Sequence, residues 1–99
     1  MDGDTIEARG PLIRWSGDKA SWYFVELTGN VVGEIHYAAM GRTGGFGSIR
    51  VRATIGETTW ATSVFPDKRS GGFVLPVKAA VRAAESMKEG DMVNVALRI

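Results

Sequence analysis

A chain of 99 residues, 44% apolar and 23% charged with a net charge of +1, has the make-up of one folded domain, too short for two cores and too apolar for disorder. The absence of cysteine excludes a disulfide framework, a thiolate metal site and a cysteine nucleophile. The early acids of MDGDTIEARG do not make a secretory signal, and no stretch approaches the ~20 apolar residues that span a bilayer, so a cytoplasmic protein is expected.

Thr5 to Trp15 alternates weakly and holds Gly10 and Pro11 at its middle. It reads as a strand with a bulge or at a sheet edge, because proline has no donor for a ladder. Residues 20–28, ASWYFVELT, are dense in aromatic and β-branched side chains and read as a central strand. Residues 29–40, GNVVGEIHYAAM, read as a short helix capped by Asn30, with Val31, Ile35 and Ala38 or Ala39 on one side. Gly33 and the pair Val31-Val32 work against that helix. The tract Gly41, Gly44, Gly45 and Gly47 reads as a mobile loop.

In residues 48–55, SIRVRATI, the side chains of Ile49, Val51, Ala53 and Ile55 point one way and those of Ser48, Arg50, Arg52 and Thr54 the other. Gly56-Glu57 makes a tight turn, and residues 58–65, TTWATSVF, return as the second strand of a hairpin that Pro66 ends. A charged loop, 67–72, precedes a short strand from Phe73 to Leu75. Pro76 suits the first position of a helix running to about Lys88, with Val77, Ala80, Val81, Ala84 and Met87 as its buried stripe and Gly90 as its C-cap. Val93, Val95, Leu97 and Ile99 then alternate with Asn94 and Arg98 in a final strand. No repeat or linker divides the chain, so residues 1–99 are one domain.

From residue 46 onward the segments follow in a distinctive order: a glycine-rich loop, SIRVRATIG, TTWATSVFP, a charged loop, FVLPVKAAVRAAE and GDMVNVAL. With GPLIRW and SWYFVEL in the first half, this order resembles the bacterial DUF1905 family over nearly the whole chain. The resemblance implies a mainly β fold: a small antiparallel, double-split-like β-barrel with one C-terminal amphipathic helix and a short second helix. Such barrels share their fold group with dimeric bacterial DNA-binding regulators, although shared fold is weak ground for shared function. Residues 29–40 depart from the family pattern in lacking the proline expected in that helix.

Candidate chemistry is sparse. His36 is the single histidine, and Glu34 and Tyr37 beside it do not have ligand spacing on one face, so it reads as a core or surface residue and no metal site is assigned. The glycine tract lacks the GxxxxGK[ST] pattern and opens a strand, whereas nucleotide fingerprints open a helix. Thr58, Thr59, Thr62 and Ser63 lack a nucleophile elbow or an SxxK pair. An enzyme would need a cleft that brings His36 to Ser63, Thr62 or a carboxylate; no catalytic residue and no cofactor is assigned.

Charge is more informative. Residues 37–84 hold seven bases against Glu57 and Asp67, whereas residues 1–36 hold six acids and three bases. Arg50 and Arg52 share a strand face, and Lys78 and Arg82 share a helix face by i,i+4 spacing. Where those faces adjoin, four cations line one groove and can hold a carboxylate or phosphate through bidentate contacts. The competing reading is a solvated face with Arg82 paired to Glu85. Trp15, Trp22 and Trp60 read as core volume, and a stacking platform requires one of them exposed beside an arginine. The function expected is a non-catalytic binding module for an anionic small molecule or acidic peptide at Arg50, Arg52, Lys78 and Arg82. A nucleic-acid-binding protein is the alternative, and no membrane partner is expected.

Overall fold

The computed structural model describes residues 5–41 and 47–99, so much of the glycine tract, with Gly44 and Gly45, lies outside the described residues. The alternation at 48–55 becomes strand β3, Ile49–Ile55, whose odd residues are buried. It turns through Gly56, at φ 58°, into β4, Thr58–Asp67. β4 runs through Pro66, which pairs with Phe73 of β5, Gly72–Pro76, instead of ending the strand. With β1 (Thr5–Ser16), β2 (Ser21–Leu27) and β6 (Met92–Arg98), these antiparallel strands close a barrel in the order β1-β2-β5-β4-β3-β6.

The core fills the barrel from every strand, with Leu12, Val25, Leu27, Ile49, Val64, Phe73, Leu75, Val95 and Leu97 essentially inaccessible. Helix α1, Asn30–Ala38, buries Val31 and Ile35, and Ala39 beyond its end, as the apolar spacing requires. Its N-cap is Gly29, at φ 80°, and no side chain caps it. No helix among the described residues is long and apolar enough to cross a membrane.

β1 is neither an edge nor a dangling strand. Thr5–Pro11 pair with β6 and Leu12–Ser16 with β2, so pairing passes from one neighbour to the other at Gly10-Pro11. There the chains come so close that a Cβ on Gly10 would overlap the main-chain carbonyl oxygen of Glu26.

The C-terminal helix is shorter than the sequence pattern indicates. Helix α2 covers Ala79–Ala84 only, because Pro76 stays in β5 opposite Phe24 and Lys78 is extended. Of the expected stripe, Val77 and Val81 are buried, Met87 is half-buried, and Ala80 and Ala84 face solvent. The helix stops at Ser86, a non-glycine residue at φ 53°. The Ser86 N–H donates to the Ala83 carbonyl at 3.3 Å and the Met87 N–H to the Arg82 carbonyl at 2.9 Å. This is the paired closure of a Schellman C-cap. Gly90, at φ 92°, lies outside the helix and donates its N–H to the Leu12 carbonyl at 2.8 Å.

Of the three tryptophans only Trp60 is core, at 9% exposure; Trp15 is 37% and Trp22 53% exposed. Register explains the difference. Val25 and Leu27 place the odd positions of β2 inside, so Trp22 points outward, and Trp15 lies directly opposite it on β1.

Candidate functional site

The barrel wall parts where β5 ends. β5 stays with β2 through Pro76, and the Val77 N–H still donates to the Tyr23 carbonyl at 2.9 Å, but its pairing with β4 runs only from Asp67 to Phe65. Between the two diverging chains lies a cleft of about 320 Å³, at the small end of ligand-sized pockets. Ser21 to Phe24 of β2 form one wall and Trp60, Ala61 and Thr62 of β4 the other. Pro76, Val77, Lys78 and Arg82 complete it.

Arg82 is held in place from two sides. Its Nε donates to the Val77 carbonyl at 3.1 Å, and its guanidinium carbon lies 3.8 Å from the centre of the Tyr23 ring, a cation–π stack. Its terminal nitrogens make no hydrogen bond with the described residues. Lys78 is exposed and has no ion-pair partner among them. The Glu85 carboxylate, the partner that spacing offers to Arg82, instead accepts a 2.6 Å hydrogen bond from the Thr58 hydroxyl.

The remaining polar groups of the cleft are donors or hydroxyls. The indole N–H of Trp60 has no partner, yet no buried side-chain nitrogen or oxygen among the described residues lacks one, so this N–H opens to solvent. The same reasoning places the Tyr23 and Thr62 hydroxyls in contact with solvent. Ser21 accepts from Arg14 Nε at 3.2 Å and keeps its own proton to donate. No carboxylate lines the cleft. One anchored guanidinium, the exposed ammonium of Lys78, an indole N–H and three hydroxyls over aromatic walls form a pocket that suits an oxyanion attached to an apolar body.

The four cations singled out in the sequence are therefore divided. Lys78 and Arg82 share the cleft. Arg52 lines a separate concavity of about 300 Å³ with Thr5, Thr54, Thr59 and Arg98. It is opposite Arg98 on one side and opposite Ala61, a cleft residue, on the other, which leaves it one strand away from the cleft. Arg50, opposite Ser63, is exposed and lines none of the described concavities. His36 is exposed, 5.1 Å from the Phe73 ring centre, and likewise lines none of them. No group of three or more His, Asp or Glu able to hold a metal occurs among the described residues.

Sequence reading missed Trp22, Tyr23 and Trp60 as cleft residues. The available signal was the phase of SWYFVEL: with Val25 and Leu27 inside, Trp22 had to face out. The exposure that a stacking platform requires is met at two places. Trp22 shares the cleft with Arg82, and the Arg69 guanidinium lies 5.1 Å over the ring of the half-exposed Trp15.

Residues 9–97 match the model of a family described as "Domain of unknown function (DUF1905)", and the chain belongs to that family. No curated protein matches the chain.

Proposed function

We propose that this DUF1905 domain is a non-catalytic binding module whose cleft, at Lys78 and Arg82, takes an anionic ligand. The carrying observation is a cationic lining free of carboxylates: Arg82 is fixed by the Val77 carbonyl and the Tyr23 ring, and Lys78 lines the same cleft. A guanidinium held in this way loses little freedom on binding and can meet a carboxylate or phosphate with both terminal nitrogens. Trp22 and Trp60 supply apolar surface for the rest of the ligand. Arg52 and Arg50 on the neighbouring strand add positive potential that attracts an anion towards the cleft.

Amide NMR titration with glutarate, benzoate and inorganic phosphate tests the proposal. Shifts should gather at residues 21–24, 60–62 and 77–82, and Lys78→Glu should remove them. Shifts confined to Arg50 and Arg52, or none with any anion at millimolar concentration, would refute it.

A second reading, binding of single-stranded nucleic acid, is favoured by one observation: Trp15 and Trp22 lie side by side and outward, with Arg69 over Trp15. It requires an affinity that falls steeply with salt, as each phosphate contact releases counterions. A cytoplasmic setting belongs to the same proposal, since a cysteine-free fold held by packing alone suits a reducing compartment.

A further inference from the structure

The cleft is bounded by a strand edge that no described residue of the barrel pairs. β4 extends from Thr58 to Asp67, yet β5 covers only Phe65, Pro66 and Asp67 on its outer flank. From Thr58 to Val64, β3 takes one edge of β4 and no strand among the described residues takes the other. At the start of this stretch Glu85 closes over Thr58. Trp60 to Thr62, roughly 10 Å at about 3.3 Å per residue, line the cleft without a partner strand among the described residues.

We infer that the natural occupant of the cleft is an extended acidic peptide segment that adds to the free edge of β4 and carries its carboxylates to Lys78 and Arg82. This inference rests on the anion reading and narrows it to one class of partner. Main-chain hydrogen bonds to β4 supply affinity, and alternate side chains supply specificity. Side chains of one parity enter the opening lined by Tyr23, Trp60 and Val77, which takes an apolar group. Those of the other parity lie along Ala61, and Lys78 and Arg82, which line the same cleft, favour acids there. The added segment continues the line of β5 and completes the wall where it parts.

The test uses an acetylated, amidated pentapeptide of alternating glutamate and valine, followed by amide NMR and hydrogen exchange. Expected are shifts at 60–63 and 77–82, slowed exchange of the outward amides of β4, and roughly tenfold weaker binding to Lys78→Glu. Methylating the backbone nitrogens of the valines or of the glutamates should abolish binding in one register and spare it in the other. Equal binding of both methylated peptides would overturn the strand pairing. So would a cleft that takes glutarate but not the peptide, a result that leaves the anion reading intact, whereas silence with every anion removes both. Tighter binding of a thymidine oligomer at the same amides would overturn the peptide as partner.

Discussion

Gly10→Ala isolates a close main-chain approach between β1 and β2. The added methyl would overlap the Glu26 carbonyl oxygen and lie 3.4 Å from Val25 Cγ1. A side chain can rotate away from such a clash, but the backbone of β2 cannot. β1 and β2 must part by about 1 Å, a gap at which packed neighbours forfeit up to half of their dispersion attraction. Overpacking in cores costs about 1–3 kcal/mol, and a clash with a main-chain carbonyl belongs at the upper end, near 3 kcal/mol. For a domain of this size that corresponds to a melting point lower by roughly 12–24 °C. The control is Gly33→Ala on the solvent face of α1, where a Cβ meets nothing within 4 Å. The same chemical change there should stabilise by about 0.5–1 kcal/mol through helix propensity and a less flexible unfolded chain. Urea unfolding followed by tryptophan fluorescence measures both. A loss below about 0.5 kcal/mol for Gly10→Ala at unchanged m-value would refute the close approach and the handover of β1 built on it.

Trp60→Ala should cost about 3–5 kcal/mol as a core truncation, while Trp22→Ala should cost under about 0.5 kcal/mol and act on ligand binding alone; equal losses in a denaturation series would contradict the assigned register. Asp67, 8% exposed, accepts hydrogen bonds from the Arg69 N–H at 3.2 Å and the Ser70 hydroxyl at 2.9 Å. Asp67→Ala should therefore cost about 2 kcal/mol and speed amide exchange across 68–72, and unchanged exchange would rule out this role in the hairpin. Gly90→Val should cost about 1 kcal/mol or more, because the backbone there is left-handed. A neutral result in thermal melts would show that the turn at Gly90 relaxes freely.

Elements whose patterning is local were legible in the sequence. The β3–β4 hairpin, β6 and the buried positions of α1 follow from alternation and spacing that tertiary structure did not override. The length of α2 was misread because its stop is Ser86, a residue with no left-handed preference, while the glycine that looked like the cap serves a turn against β1. Trp15 and Trp22 were assigned to the core by size, and only the phase of β2 reveals otherwise. Of the four cations the sequence singles out, two line one cleft. Lys78 and Arg82 are four residues apart and meet at the cleft with Lys78 as the extended residue before α2 and not on its face, and their relation to Arg50 and Arg52 depends on where β5 leaves β4, which no periodicity encodes.

The pairing of β6 with both β1 and β3 also bears on synthesis. Residues 92–98 are the closing stave of the barrel, so a nascent chain cannot complete its wall until this segment has left the ribosome. Until then β1 and β3 each present an open flank, the kind of surface on which incomplete β proteins stick to one another. Contacts that join residues 5–11 to 92–98 span almost the entire chain, and such long loops must be closed before they repay their entropy. Slow folding follows from the same strand order that joins the first and last strands in the finished barrel.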